Sequence, residues 1–202
     1  SAFVDTADHE AFISALRICS AEHGVTVLAY ALLSQQVQLI LIPDRAEALG
    51  RMMQALTRQY VGPFNRKHAR AGALWQSRFS SAPLQASLHL LDCVVYVEQA
   101  PQRSGFAGAA FEYPWSSACH HAGLRSERWL AAMPPDSAYW KLGNTPFERD
   151  AAYRHLLERP MSLAQVQRIE STVLKGWALG SGEFLAEIGA STGRRPCPVP
   201  CR

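Results

Sequence analysis

The sequence predicts an α+β fold, an antiparallel sheet with helices packed on one face. Three observations predict it: a helical pattern precedes two short alternating apolar segments, a second helical pattern follows them, and two helix N-caps lie near the C-terminus. Segments of helical and strand period that follow one another in this way are typical of the class. The chain has 202 residues, of which 48% are hydrophobic, so it is long enough to bury a sizeable core.

The first predicted elements are a helix and a hairpin. Residues 8–23 start with acidic side chains, carry apolar residues near helical spacing and end before Gly24, which predicts a helix. Residues 25–30 and 37–42 predict two strands joined by a short polar stretch and closed by Pro43.

A second helix is predicted from about residue 46 to residue 60. Pro63 should end or kink it, because proline lacks a backbone donor and clashes with the preceding turn. Residues 68–73 predict a loop, residues 78–84 a third strand, and residues 87–100 a third helix ended by Pro101.

This order of elements is a ferredoxin-like arrangement without its first strand. Without that strand one edge of the sheet would be open, so we expect either that the sequence is a fragment or that the fold has been eroded. Thr145 with Glu148, and Ser162 with Gln165, have the spacing of capping boxes and predict a helical C-terminal region. We therefore expect two parts, residues 1–125 and a helical region with a basic, proline-rich tail, residues 126–202.

The basic residues are unevenly placed, although the net charge is only +3. Between residues 51 and 91 the chain has no Asp or Glu, so this run should project a positive field suited to a polyanion such as nucleic acid. Aromatic residues interleave with the cations, a mixture that holds phosphates while bases stack. The alternative is a solvated helix face whose acidic partners come from elsewhere in the fold. The cations are Arg51, Arg58, Arg66, Lys67, Arg70 and Arg78.

The remaining composition favours a cytoplasmic protein. No apolar run is long enough to cross a bilayer, and no signal peptide is visible. Five scattered cysteines, an odd number, favour a reducing compartment. His120 and His121 follow the YPWSS segment, where we expect solvated histidines rather than metal ligands.

Five segments together resemble one protein family, the REP-associated tyrosine transposases, relatives of small bacterial insertion-sequence transposases. The resemblance covers nearly the whole chain. The segments, in order, are HGVTVLAYALLSQQVQLILIP, GRMMQALTRQYVGPFNRKHARAGALWQSRFSSAPLQ, VVYVEQAPQRSG, YPWSS and ESTVLKGWALGSGEFLAEI.

The resemblance implies an enzyme that cuts and rejoins single-stranded DNA beside hairpins. In that family a tyrosine attacks a phosphodiester, while two histidines on one strand and a polar residue one helical turn after the tyrosine hold a divalent metal. The tyrosine corresponds to Tyr96 here. The histidine positions carry Gln36 and Gln38, and the third ligand position carries Ala100. Gln99 lies near the same helix face as Tyr96 and is the candidate replacement ligand.

The leading hypothesis is therefore a transposase-like protein that binds hairpin or single-stranded DNA and is impaired or dead in strand cleavage. Binding needs no cofactor, whereas residual cleavage would need Mg²⁺ or Mn²⁺. The alternatives are an active transposase with a covalent Tyr96–DNA intermediate, and a decayed remnant without function. The predicted phosphate contacts are the six cations above and Arg103, with Arg194 and Arg195 as lesser candidates. Trp75 is a candidate for stacking on a base, and a position in the hydrophobic core is an alternative that the sequence supports at least as well.

Overall fold

A computed structural model describes residues 1–75, 78–193 and 196–197, and it confirms the α+β class. No helix in these ranges has the length and apolar character needed to span a bilayer. The main elements are α1 (Thr6–Glu22), β1 (Val25–Leu33), β2 (Gln36–Pro43), α2 (Ala48–Lys67), α3 (Ala86–Glu98), α4 (Ala100–Arg103), α5 (Ala118–His121), α6 (Pro146–Glu158), α7 (Leu163–Lys175) and α8 (Gly182–Thr192).

The chain forms two compact units, and their bounds differ from the predicted parts. Unit 1 comprises residues 1–78 and 97–132, and unit 2 comprises residues 79–96 and 133–202. Residues 97–132 thus group with the hairpin and the first two helices, whereas residues 79–96 group with the C-terminal helices.

The predicted hairpin is confirmed, with β1 and β2 paired antiparallel. A bulge at Leu28 interrupts the register, because Val27 pairs with Leu41 while Ala29 pairs with Ile40. An extra residue in one strand reverses which side chains face the core. As a result the core of unit 1 receives Val25 and Val27 before the bulge, and Tyr30 and Leu32 after it.

The outer edge of β1 is covered by the YPWSS segment, residues 113–117. The Leu32 N–H donates to the Trp115 carbonyl at 2.9 Å, and the Ser117 N–H donates to the Tyr30 carbonyl at 3.0 Å. Ala31 and Ser116 complete an antiparallel bridge. The outer edge of β2 has no backbone hydrogen bond to any other described residue, so the open edge of the hairpin lies on β2.

The core of unit 1 lies between the hairpin, α1 and α2. Apolar residues of α2 recur every four positions and are at most 3% exposed, which places one face of the helix against α1. Phe12 of α1 meets the Tyr60 ring edge-on at 5.0 Å. The buried α2 residues are Met52, Leu56, Tyr60 and Phe64.

Pro63 does not end the second helix, because α2 continues to Lys67, and a kink at this position stays a prediction. Pro63 is exposed, so its ring projects into solvent and displaces no core side chain. The Gln59 carbonyl, four residues earlier, loses its helical donor. Burial of Tyr60 and Phe64 on the opposite face holds the helix together across the defect.

The third predicted strand, residues 78–84, does not form as a strand. Leu84 makes a single parallel bridge with Leu179, inside unit 2. The Leu179 N–H donates to the Pro83 carbonyl at 2.8 Å, and Leu179 accepts from the Gln85 N–H at 2.8 Å. Pro83 has no N–H of its own, so the segment cannot extend this pairing into a ladder.

The predicted helical C-terminal region is confirmed in unit 2. Thr145 and Glu148 form a capping box at the start of α6, and Ser162 and Gln165 form another at the start of α7. Tyr153 of α6 is fully buried, so α6 carries part of the apolar interior of this unit.

We expect Pro63→Ala to raise the free energy of unfolding by about 1–2 kcal/mol, since alanine restores the donor to the Gln59 carbonyl. The gain is less than the full helical penalty of proline, because replacing proline with alanine also raises the conformational entropy of the unfolded chain and so favours unfolding. Urea unfolding measures it. The control is Gln54→Ala, an exposed change on the same helix that should stay within about 0.5 kcal/mol. Destabilisation by Pro63→Ala would show that the proline fits α2 better than alanine does.

Candidate nucleic-acid interface

Three predicted phosphate contacts form a stripe along the solvent face of α2. Arg51, Arg58 and Arg66 are all exposed. At 3.6 residues a turn they lie within an arc of about 80° and extend over about 22 Å of the helix axis. This arc is opposite the buried face of α2, so the helix points its guanidinium groups into solvent. We call these three residues the arginine stripe.

The arginine stripe carries uncompensated charge, because none of its members makes an ion pair with another described residue. Beyond the stripe, the Arg70 guanidinium lies 5.7 Å from the centre of the Phe64 ring. Arg78 and Arg103 are exposed. Arg194 and Arg195 lie outside the described residues.

Lys67 differs from the stripe, because its charge is paired within the fold. Its Nζ lies 2.7 Å from an Asp5 carboxylate oxygen and 2.8 Å from an Asp8 oxygen. Both acids belong to the start of α1, so the partners come from a distant part of the sequence, as the alternative interpretation of the basic run expects. A contact to phosphate would have to compete with two carboxylates.

Asp5, Asp8 and His68 place potential metal ligands within 4.8 Å of one another. The Lys67 ammonium contacts both carboxylates, and Asp8 also accepts from the Val4 N–H at 2.8 Å. Asp5 and Asp8 form the capping box of α1. These contacts account for the cluster as a helix cap joined to an ion pair.

Burial of Asp8 opposes its charge, but hydrogen bonds from Lys67, His68 and the backbone N–H groups of Val4 and Asp5 outweigh burial and hold its pKa well below the usual range. Asp8 is 3% exposed. It is therefore an anion in the folded protein at every ordinary pH.

Trp75 packs against the hydrophobic core and does not present an open face on which a base could stack. The ring is half-buried and packs against the core of unit 1, 6.5 Å from Phe12 in an edge-on arrangement. A base could approach only its remaining exposed surface.

The residues at the implied metal positions do not fit a divalent cation. Gln36 is exposed, Gln38 is half-buried, and Gln99 is 1% exposed. The Gln38 amide oxygen is buried without a hydrogen-bond donor, so it is one acceptor that a cation could use. Mg²⁺ and Mn²⁺ prefer carboxylates among their ligands, and this set offers only neutral amides. Ala100, at the third ligand position, is 2% exposed and has no donor atom to offer.

Tyr96, the implied nucleophile, is 8% exposed. Within unit 2 its hydroxyl donates a hydrogen bond to the Glu170 carboxylate of α7 at 3.3 Å. A nucleophilic hydroxyl must reach a phosphorus atom, and this one is covered and engaged.

Unit 1 contains a buried polar network that the sequence analysis did not predict. Glu98, at the end of α3, is fully buried, and one of its carboxylate oxygens accepts from the Ser117 hydroxyl at 2.5 Å and lies 2.6 Å from His121 Nδ1. The Tyr30 N–H in turn donates to the Ser117 hydroxyl at 3.0 Å. The network ties α3 and α5 to the middle of β1.

The prediction that His120 and His121 are solvated is wrong. His121 is 5% exposed and contacts Glu98. His120 is half-buried, and its Nδ1 accepts from the Glu127 N–H at 3.2 Å. Burial lowers the pKa of His120. Two sequence signals could have revealed this arrangement: Ser117 and His121 are four residues apart on one helical turn, and Glu98 follows an apolar run, where an acid needs a buried partner.

A second carboxylate reinforces the same region. The Tyr30 hydroxyl donates to both Glu127 oxygens, at 3.1 and 3.0 Å. Glu127 also accepts from Arg125 at 2.5 Å and from the Trp129 indole at 3.1 Å. Burial and the Glu127 carboxylate raise the pKa of Tyr30. The Tyr30 hydroxyl therefore stays protonated, and able to donate a hydrogen bond, throughout the physiological pH range.

Comparison with known proteins found no matching protein family, no matching curated sequence and no matching solved structure. A functional conclusion for this chain therefore depends on its own residues and their geometry.

We expect Glu98→Gln to lower the free energy of unfolding by about 2 kcal/mol, because hydrogen bonds to a buried carboxylate are stronger than those to an amide. Urea unfolding followed by tryptophan fluorescence measures the loss. Glu10→Gln, an exposed change on α1, is the matched control and should leave stability unchanged. Equal stability of the two variants would mean that the network does not depend on charge.

Acid should destabilise the wild-type protein more than the Asp8→Asn variant. The unfolded chain protonates Asp8 near the ordinary pKa of about 3.9, whereas the folded protein keeps the carboxylate charged to lower pH. The stabilisation is therefore complete above pH 5 and shrinks as the pH falls towards 2. Urea midpoints at pH 6 and pH 2.5 test this, and equal acid sensitivity of the two proteins would contradict it.

Proposed function

We propose that this protein binds DNA that contains a hairpin or a single strand, through the arginine stripe on α2, and does not cleave it. The observation that carries the proposal is the stripe itself: three exposed guanidinium groups on one helix face without an acidic partner among the described residues. An exposed guanidinium group without an acidic partner can donate two hydrogen bonds to one phosphate at the same time.

A polyanion is the partner that such a surface fits best. Positive side chains without local partners attract a ligand with regularly spaced negative charges, and DNA phosphates supply them. Arg70, Arg78 and Arg103 are further exposed cations of unit 1. DNA binding requires no cofactor, and a DNA partner agrees with a cytoplasmic location in a bacterium.

The state of the implied cleavage residues supports a binder rather than a nuclease. The metal positions supply neutral amides, and Ala100 supplies nothing. The Tyr96 hydroxyl is bound to Glu170. Cleavage would need a metal to polarise the phosphate and a free nucleophile, and both requirements are poorly met by these residues.

We expect a labelled single-stranded hairpin DNA to shift on a native gel with this protein and to release the protein on a denaturing gel, with Mg²⁺ or Mn²⁺ present in both. Because the contacts are to phosphates, binding should weaken steeply between 50 and 200 mM salt. Fluorescence anisotropy at several salt concentrations measures that slope.

Tyr96→Phe is the control for chemistry. A protein–DNA band that survives denaturation in the wild type and disappears in Tyr96→Phe would establish an active transposase and overturn the cleavage-deficient proposal. A chain that binds no hairpin DNA at any salt concentration would overturn DNA binding and favour a remnant whose basic surface is only inherited.

A further inference from the structure

The arginine stripe offers charge without a surface on which bases can stack. The two aromatic residues of α2, Tyr60 and Phe64, are each 3% exposed and face the core. The Tyr60 hydroxyl donates to the Ala2 carbonyl, which fixes that ring inside unit 1. Proteins that hold single strands gain about 1–3 kcal/mol for each base that stacks on an aromatic side chain, and α2 cannot supply this contribution.

Contacts to phosphate alone favour the nucleic acid with the higher charge density. A duplex carries one negative charge for about every 1.7 Å of its axis, twice that of one strand with the same rise, and it releases more counterions for each phosphate neutralised. For three phosphate contacts, and equal affinity of the two DNAs at about 1 M salt, this difference in salt slope amounts to about sixfold tighter binding to duplex at 50 mM salt.

The spacing of the arginine stripe also suits a rigid partner. Successive members are about 10 and 12 Å apart along the helix axis, close to the width of about 12 Å of the DNA major groove. The end of α2 is held by the contacts of Lys67 with Asp5 and Asp8, so the spacing is built into the fold. A flexible strand gains little from a fixed spacing, whereas a duplex presents its phosphates at fixed positions.

We infer that the arginine stripe binds the phosphates of double-helical DNA, and that in a hairpin it contacts the stem in preference to the single-stranded part. This inference rests on the proposed DNA binding and adds the structural class of the DNA that α2 contacts. Recognition at this surface is independent of sequence, because no side chain of the stripe needs to reach a base edge.

The experiment compares three labelled DNAs by anisotropy with the full chain: a 20-base-pair duplex, one of its strands, and a hairpin with that duplex as its stem. We expect the duplex and the hairpin to bind equally, and the single strand about sixfold more weakly at 50 mM salt. In the triple variant Arg51→Gln, Arg58→Gln, Arg66→Gln, the slope of log affinity against log salt for the duplex should fall by about 3.

Arg17→Gln is the matched control, an exposed arginine on α1 outside the arginine stripe, and it should change neither affinity nor slope. Circular dichroism checks that the triple variant is folded. Tighter binding to the single strand, or a duplex slope unchanged in the triple variant, would overturn the inference while leaving DNA binding intact. Failure of all three DNAs to bind would instead refute the proposed function.

Discussion

A fully buried carboxylate at the end of α3 is the constraint on which the arrangement of unit 1 depends. Glu98 has no access to water, so its charge must be met by donors from the protein. Ser117 and His121 supply them, and Ser117 is itself bound to the backbone of Tyr30. The segment after α4 is thereby held against β1, where its backbone pairs with the strand edge. Removing one partner would leave a buried charge, which explains how this network can determine the path of the segment after α4.

A second electrostatic arrangement decides which basic residues of α2 face a ligand. Lys67 forms ion pairs with Asp5 and Asp8, which lie about sixty positions earlier in the chain and cap α1. The remaining arginines on that helix have no such partners among the described residues. One run of like charges is thus divided into a cation that joins two helices and a stripe that projects into solvent. The contribution of the stripe to stability is small, since exposed charges interact mainly with water and salt, and the proposed DNA binding would use it for association.

The residues at the metal positions that the resemblance implies and the buried side chain of Tyr96 both argue against cleavage, although they lie in different units. Neutral amides in place of imidazoles lower the affinity for a divalent cation. The Tyr96 side chain is 8% exposed, which leaves its hydroxyl little access to a phosphate. A basic surface, in contrast, needs no exact geometry to attract DNA. Absence of the cleavage that the resemblance implies is therefore compatible with the proposed DNA binding, because the two would depend on different residues.

The sequence by itself determined the features that depend on neighbouring residues: the hairpin, the helices at 6–22, 86–98, 146–158 and 163–175, and both C-terminal capping boxes. It also named Arg51, Arg58 and Arg66 among the candidate phosphate contacts, but their alignment on one helix face depends on the continuation of α2 past Pro63 to Lys67. Tertiary structure alone decided that α2 passes Pro63, that residues 78–84 form no strand, that Lys67 is paired, and that Glu98 and His121 are buried together. Each of these depends on contacts between residues far apart in the chain, whose energies outweigh local preference and leave no pattern in a local window of the sequence.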